Sequence, residues 1–204
     1  MYPKELSHGE YNLKYIQESL KDTHEVITGI LEDQELHANL QKISEVCCNA
    51  LKNENKIILA GNGGSAADCQ HIAGELVSRF MFDRPGLPSV ALTTDTSILT
   101  AIGNDYGYEN LFSRQIQALG KSGDIFFAYS TSGTSKNIIQ ALKEARKKKI
   151  ISVALTGLSE NPSDMSNYCD YIIRIPSKST PKIQEGHLIV GHIICGLIEN
   201  HIFG

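Results

Sequence analysis

The stretch KIILA (residues 56–60) followed by GNGGS (61–65) decides the fold of this 204-residue chain. An apolar run of strand length leads into a glycine-rich loop, and the loop opens a segment with helical character. A second stretch repeats this arrangement, with IFFAY (125–129) ahead of STSGTS (130–135). Small residues let the backbone approach a ligand, and free N–H groups and hydroxyls at a helix N-terminus suit a phosphate or a sugar hydroxyl. The two loops therefore predict a site for a phosphorylated small molecule.

Apolar strand-like runs alternate with segments of helical periodicity along most of the chain, which predicts βαβ units. We expect an α/β fold, with a doubly wound, mostly parallel five-stranded sheet flanked by helices. Residues 1–204 are predicted to form one domain, in which a helical segment (1–54) precedes an α/β sandwich (55–204). Both loops fall at the carboxyl ends of predicted strands, where such sheets bind ligands. The strands are predicted at 56–60, 89–93, 125–129, 150–155 and 170–175, and the helices at 10–31, 35–53, 66–80, 96–103, 109–119, 136–148 and 182–201.

Composition excludes several classes of protein. Apolar residues make up 41% and charged residues 21% of the chain, as expected of a soluble globular protein, and the net charge of −4 argues against a nucleic-acid partner. The basic run 143–149 is interpreted as a solvated helix end. Five scattered cysteines fit reduced thiols, with Cys69 as a buried apolar side chain. Residues 1–6 show no apolar leader, and no membrane span is expected, so we predict a cytoplasmic protein.

The loop chemistry favours phosphate over a dinucleotide. The first loop departs from the dinucleotide fingerprint because Ala66 stands where its third glycine is needed, and neither loop ends in the Gly-Lys-Ser/Thr of a Walker loop. A tight strand–helix turn remains an alternative for the first loop. In the second loop a single hydroxyl would suffice as a helix N-cap. Four hydroxyl residues exceed that need and are predicted to bind phosphate: Ser130, Thr131, Ser132 and Ser135.

Titratable residues on two helices suggest a shared site. His71 and Glu75 stand four residues apart and therefore share one helix face. The residues around them are apolar, so this helix is expected to be buried. The last helix carries Gln184 and His192 among apolar residues, although a lone core histidine is the common alternative. Together these two histidines, one carboxylate and one amide could hold Zn²⁺, even though an amide is an unusual zinc ligand.

These residues together resemble the phosphoheptose isomerase family of sugar isomerase (SIS) domains. The likeness runs in order through GNGGS (61–65), HIAGEL (71–76), Arg79, the segments 95–97, 103–105, 112–114 and 130–133, and IQE (183–185) with His192. It covers nearly the whole chain. The resemblance implies an isomerase that interconverts sedoheptulose 7-phosphate and D-glycero-D-manno-heptose 7-phosphate through an ene-diol, the first step towards activated heptose for lipopolysaccharide or capsule.

The resemblance also implies roles for individual residues. Glu75 and His192 would be the acid–base pair, and the four hydroxyl residues of the second loop would hold the phosphate. Some family members carry zinc at positions that match His71, Glu75, Gln184 and His192. The family is homotetrameric, with sites built between subunits. Sugar contacts are expected from Asn62, Gly63, Gly64, Ser65, Asp95, Asn104, Asp105 and Gln184.

One departure and one rival function accompany the resemblance. Several relatives have an acidic and then a basic residue just before the segment that matches Ile183-Gln184, whereas Pro181 and Lys182 stand there in this chain. Any role of an acidic side chain at position 181 is therefore absent. The rival function is that of a paralogue group with the same fold, which binds the replication initiator protein and lacks the acid–base pair. The presence of both Glu75 and His192 favours the enzyme.

Overall fold

The structure, a computed structural model, describes residues 8–158 and 164–204. The segment 1–6, on which the expectation about a leader rests, lies outside the described residues. Short 3₁₀ turns stand at Tyr108–Asn110 and Asp164–Asn167. The strands are β1 (Ile57–Ala60), β2 (Ser89–Ala91), β3 (Ile125–Tyr129), β4 (Ile151–Gly157) and β5 (Tyr171–Ile175), and the helices are α1 (His8–Glu32), α2 (Gln34–Lys52), α3 (Gly64–Val77), α4 (Thr96–Tyr106), α5 (Ser113–Leu119), α6 (Lys136–Lys147) and α7 (Thr180–Phe203).

The five strands form one parallel sheet in the order β2-β1-β3-β4-β5. The predicted fold class is confirmed, and the five strands, joined by four parallel pairings, lie where strands were expected. The chain moves outward from β1 to β2 and then returns to the other side of β1 to form β3. The direction of winding therefore reverses between β1 and β3, and a crevice opens there at the carboxyl ends of the strands. The two loops 61–65 and 130–135 follow these two strands and so flank the crevice.

Alternate residues of the strands supply two separate cores, as a sheet covered on both faces requires. Ile57 and Leu59 of β1 join a core formed with α1, α2, α3 and α7. Ile58 and Ala60 point the other way and pack with α5 and α6. Both faces of β1 are thus buried, which fixes its register and the position of the loop that follows it.

Two predicted helix boundaries are wrong. The helix expected over 109–119 begins at Ser113, after a separate 3₁₀ turn, and the helix expected over 96–103 runs further. The segment Gly103–Gly107 was expected to end a helix, but α4 continues through Gly103 to Tyr106. A side-chain Cβ at Gly103 would meet nothing within 4 Å, so this glycine neither is required by packing nor breaks the helix. The helix ends at Gly107, where φ is +80°, a conformation that glycine adopts without strain.

Two helices show contrasting surfaces. Among the described residues, α7 is the one helix long and apolar enough to cross a membrane by length and composition. It nevertheless packs against α1, α2, α3 and the sheet, and it buries the polar residues Lys182, His187 and Glu199, so it acts as the central core helix. By contrast, α1 leaves apolar side chains more than half exposed, including Leu13, Ile16 and Leu20.

The cysteines are consistent with the sequence interpretation. All five are free thiols. Cys69 is fully buried, and burial raises the pKa of its thiol well above the usual value. A protonated, inaccessible thiol is a poor nucleophile. Cys69 therefore packs as a small apolar residue beside the first loop.

Candidate active site at the switch point

The hydroxyl cluster at the end of β3, formed by Ser130, Ser132, Thr134 and Ser135, is not used to cap α6. Ser135 occupies the N-cap position but makes no side-chain capping bond. Its Oγ lies 2.8 Å from Oγ of Ser130, and Oγ of Ser132 lies 3.0 Å from Oγ1 of Thr134. The hydroxyls pair with one another at the N-terminus of a long helix, which is an arrangement that a phosphate can enter.

Thr131 is held differently from its neighbours. Its carbonyl accepts a hydrogen bond from the N–H of Gly157 at 3.1 Å, which ties the loop to the end of β4. The loop therefore has a fixed backbone below its hydroxyl cluster. Such a preformed cradle lowers the entropic cost of binding an anion.

The first loop has its conformation set by two glycines. Gly63 has a φ of +56° and stands at the N-cap of α3. At Gly64 a Cβ would lie 2.5 Å from Nε2 of Gln184, so only glycine allows α7 to come this close. Ser65 is buried, and its N–H donates to the carbonyl of Asn62. Gln184 thus lies against the loop, as expected if both contribute to one site.

Asn62 joins the two sides of the crevice. Its Nδ2 donates to Oδ1 of Asn137 at 3.0 Å, and Nδ2 of Asn137 donates back to Oδ1 of Asn62 at 2.8 Å. The hydroxyl of Tyr108 donates to the same Oδ1 at 2.9 Å. The sequence analysis missed Asn137 and Tyr108. An available signal was the position of Asn137 in the first turn of the helix after the hydroxyl cluster.

The histidine–glutamate cluster, formed by His71, Glu75 and His192, brings α3 and α7 together. Nε2 of His71 lies 2.8 Å from Nε2 of His192 and 3.3 Å from Oε1 of Glu75. The side chain of His71 is 46% exposed and that of Glu75 is 26% exposed. The expectation that the helix is buried all round is wrong for this face, because the apolar Val77 is also exposed and only one side of α3 reaches the core.

The donor atoms of this cluster suit a cation. Two imidazole nitrogens and one carboxylate oxygen lie within 4.8 Å of one another, and nitrogen with oxygen is a donor set that transition metals such as zinc accept. These are three of the four predicted ligands. The fourth, Gln184, stands eight residues before His192 on α7, which is a rise of about 12 Å along the helix, and its amide packs against Gly64.

Asp68 and Phe80 are further residues of this region that the sequence analysis missed. Asp68 lies one turn before His71, and its buried Oδ2 has no hydrogen-bond partner. Burial raises the pKa of the Asp68 carboxyl to about 6, while the nearby His71 opposes part of the rise. The ring of Phe80 lies 5.5 Å from that of His192, tilted by 30°. Both residues shape the surroundings of the histidines.

The remaining predicted sugar contacts lie on α4 and at its start. Asp95 is the N-cap of α4, and its side chain accepts a bond of 2.9 Å from the N–H of Ile98. Nδ2 of Asn104 donates to Oδ1 of the neighbouring Asp105 at 2.7 Å. All three are exposed in the single chain. The structure thus gives Asp95 a local capping bond and leaves Asn104 and Asp105 free to face solvent or another molecule.

Comparison with known proteins identifies the family of this chain. The pattern of the SIS domain family matches residues 20–157. Phosphoheptose isomerase from Burkholderia pseudomallei (strain 1710b) is 57% identical over 192 residues, which is 94% of this chain and 96% of that protein. The chain belongs to the phosphoheptose isomerases of the SIS domain family.

Solved structures agree with this assignment. Phosphoheptose isomerase GmhA from Neisseria gonorrhoeae superposes with a TM-score of 0.80 at 37% identity, covering 95% of this chain and all of that one. A phosphoheptose isomerase from Francisella tularensis gives a TM-score of 0.83 at 31% identity, covering 96% of this chain and 100% of the other. The resemblance stated from the motifs is confirmed. The initiator-binding alternative is not favoured.

Proposed function

We propose that this family member interconverts sedoheptulose 7-phosphate and D-glycero-D-manno-heptose 7-phosphate in the cytoplasm, and so starts the supply of activated heptose for lipopolysaccharide or capsule. The observation that carries the proposal is that the first loop connects two kinds of site, because Asn62 bonds to Asn137 beside the hydroxyl cluster and the helix that begins in the same loop carries the histidine–glutamate cluster. The hydroxyl cluster follows β3, and the helix that begins after β1 carries His71 and Glu75. A phosphate held at the first would place the sugar chain along the crevice.

The residues support an acid–base mechanism. Moving a carbonyl from C2 to C1 requires a proton to leave one carbon and return to its neighbour, and a hydroxyl proton to move between the two oxygens. We assign the carbon-bound proton to the Glu75 carboxylate and the hydroxyl proton to His192, since imidazole exchanges protons near neutral pH. His71 lies between them and orients both.

Zinc is the proposed metal, with His71, Glu75, Gln184 and His192 as its ligands. A bound cation would stabilise negative charge that develops on the substrate oxygens. Gln184 would turn from Gly64 to complete the set. A carboxylate and an imidazole that bind metal are less free to carry protons, so the metal dependence of turnover decides between the two roles of Glu75 and His192.

Substrate contacts are assigned to both loops. Ser130, Thr131, Ser132 and Ser135 would bind the phosphate. The sugar hydroxyls would meet the first loop, Gln184 and the residues on and before α4. The first-loop residues are Asn62, Gly63, Gly64 and Ser65. The residues on and before α4 are Asp95, Asn104 and Asp105.

We also propose that the chain, as one domain over residues 1–204, assembles as a homotetramer. The apolar side chains that α1 exposes would be covered by other copies, because contiguous exposed apolar surface marks an interface. Sedimentation equilibrium should give four chains per particle. A monomer would contradict the proposal.

The experiment that tests the function is turnover of sedoheptulose 7-phosphate by the purified protein, followed by NMR with and without a chelator. Aldose formation that is lost on chelation and restored by Zn²⁺ would support both the isomerase and the metal. Turnover that ignores the chelator would keep the isomerase and remove the metal from the mechanism. A folded protein with no turnover under either condition would contradict the proposal.

A further inference from the structure

A buried ion pair between Arg84 and Glu199 lies behind the histidine–glutamate cluster. Nε of Arg84 is 3.0 Å from Oε1 of Glu199, and the two side chains are 2% and 0% exposed. Burying two charges costs free energy that a well-packed apolar pair would not require. The proposed chemistry uses neither residue directly. The contacts of the pair indicate what else it does.

The Arg84 guanidinium holds the end of the helix that carries Glu75. Nη2 donates to the backbone carbonyl of Glu75 itself at 2.9 Å, and Nη1 donates to the carbonyls of Leu76 at 2.6 Å and Ser78 at 3.1 Å. Carbonyls in the last turn of a helix lack partners within the helix. A rigid, planar donor group satisfies several of them at once and thereby fixes the backbone from which the Glu75 side chain projects.

The Glu199 carboxylate holds the segment that supports His192. Oε1 accepts the N–H of Phe80 at 2.9 Å, and Oε2 accepts the N–H of Met81 at 2.7 Å. The ring of Phe80 in turn contacts the ring of His192 in a tilted arrangement, with the ring centroids 5.5 Å apart. Glu199 lies seven residues after His192, which is two turns along the same face of α7. Burial alone would raise the pKa of Glu199, but the N–H groups of Met81 and Phe80 and the Arg84 charge lower it overall, so the carboxylate stays ionised.

We propose that the Arg84–Glu199 ion pair is a positioning device that sets the Glu75 backbone and the His192 ring relative to each other. The proposal rests on the proposed function, because it concerns the acid–base pair of that reaction. One charge holds α3 through the Glu75 carbonyl, and the other holds Phe80 against His192. Neither charge contacts the hydroxyl cluster in the bonds described, so phosphate binding should not depend on the pair.

The test compares two buried ion pairs. Glu199→Gln keeps the shape of the side chain but removes its charge. Lys56→Met is the control, because Lys56 pairs with the buried Asp124 at 2.6 Å just before β1 and β3, and neither residue bonds to Glu75, Phe80 or His192 in the contacts described. We expect Glu199→Gln to lower kcat about 10²-fold, as small displacements of catalytic groups do, with KM within about threefold of the wild type. Lys56→Met should keep kcat within about threefold of the wild type, even where its melting temperature falls as far as that of Glu199→Gln. Equal losses of kcat in the two variants, or none in a folded Glu199→Gln protein, would overturn the proposal.

A second variant answers the case in which Glu199→Gln does not fold. Phe80→Leu leaves the ion pair in place and removes only the ring that lies on His192. The expected results are a fall in kcat of about tenfold and a shift of the His192 ring resonances in the NMR spectrum, with rescue of both by Phe80→Tyr. Unchanged kcat and unchanged resonances would overturn the role of Phe80 and with it the proposal.

The same spectra separate this proposal from the proposed function. If the wild type fails to turn over sedoheptulose 7-phosphate, the function is wrong, and positioning is then judged from the His71 and His192 resonances alone. They should shift in Glu199→Gln, or in Phe80→Leu, and not in Lys56→Met. If the wild type is active and both site variants keep its kcat, the function stands and the positioning role does not.

Discussion

Two polar clusters at opposite ends of β3 are satisfied in different ways. At the amino end, the Asp124 carboxylate accepts bonds from Nζ of Lys56 at 2.6 Å, from the N–H groups of Lys56 and Lys121, and from Asn55. At the carboxyl end, the hydroxyl cluster bonds mainly within itself, and one buried oxygen of Asp68 has no partner.

This difference separates stability from function. A buried polar group whose partners are all supplied by the protein adds rigidity, whereas a partly satisfied group retains capacity for a ligand. The Asp124 cluster therefore stiffens the start of β1 and β3, and the hydroxyl cluster keeps donors and acceptors that the proposed substrate would use. Substitutions in the Asp124 cluster should change the free energy of unfolding, and those in the proposed site should change turnover.

The largest effect is expected for Glu75→Gln. Removing the proposed base should lower kcat by about 10³-fold or more, since general acid–base catalysis is worth that much. The free energy of unfolding should hardly change because the side chain lies at the rim of the site. Steady-state kinetics and thermal unfolding of the same preparation measure both. Turnover close to that of the wild type would remove Glu75 from the mechanism.

Asp124→Asn should produce the reverse pattern. Burial would raise the pKa of Asp124, but hydrogen bonds from Lys56, Lys121 and Asn55 outweigh it and hold the pKa below its usual value. Breaking this buried pair should cost about 3 kcal/mol in the free energy of unfolding at pH 7, with kcat unchanged.

The pH dependence gives the check on Asp124. An aspartate has a pKa of about 4 in the unfolded chain, and that of Asp124 is lower in the folded protein. The ionised carboxylate therefore stabilises the fold at pH values above about 4, and this stabilisation is lost as the pH falls through the folded pKa. The difference between wild type and Asp124→Asn in urea unfolding should therefore shrink below pH 4. A difference independent of pH would show that charge is not its cause.

Ser135→Ala distinguishes a phosphate ligand from a helix cap. An N-cap serine replaced by alanine costs about 1 kcal/mol in stability, but Ser135 makes no capping bond, so we expect less than half of that. Loss of a hydrogen bond to a charged phosphate should raise KM by about tenfold or more with a smaller change in kcat. Ser44→Ala is the control, because Ser44 is a buried serine that bonds only to the backbone carbonyl of Gln41 in α2. A raised KM in the control as well would assign the effect to general loosening.

Asp68→Asn should have the smallest effect, and its sign is opposite to that of Asp124→Asn. Burial raises the folded pKa of Asp68 to about 6, so its stability contribution is greatest below about pH 4 and falls as pH rises through 6. At pH 8 the neutral amide should stabilise the fold by about 1 kcal/mol, a value reduced for partial exposure. At pH 4 the two proteins should unfold alike. Stabilisation at both pH values would point to packing instead.

The sequence predicted the fold well because its signals are local. The apolar runs 57–60 and 125–129 are bounded by glycine and hydroxyl residues, and strands of this kind in alternation with helices allow few topologies. The strand order was not predicted. It depends on which faces of β1 and β3 each helix covers, and this is decided by packing between residues distant in sequence.

The candidate site could be predicted only in part. His71 and Glu75 follow from spacing on one helix, His192 was a candidate on the last helix, and the family resemblance gave Glu75 and His192 their acid–base role. Other features join residues 46 to 115 positions apart or depend on such contacts, namely the bonds of Asn62 to Asn137 and Tyr108, the oxygen of Asp68 that has no partner among the described residues, and the burial of Arg84 against Glu199. No periodicity in the chain reports them.

The sequence by itself determined the α/β class, the two ligand loops and the family, because backbone chemistry and hydrophobic period act over a few residues. The tertiary structure decided which polar groups are satisfied and which are left for a substrate. That choice rests on distances between separate elements, as when α7 brings His192 to His71 on α3 and Glu199 to Arg84 behind them. Whether a carboxylate stabilises the fold or takes part in chemistry is settled by those neighbours, since the same side chain has a lowered pKa at Asp124 and a raised one at Asp68.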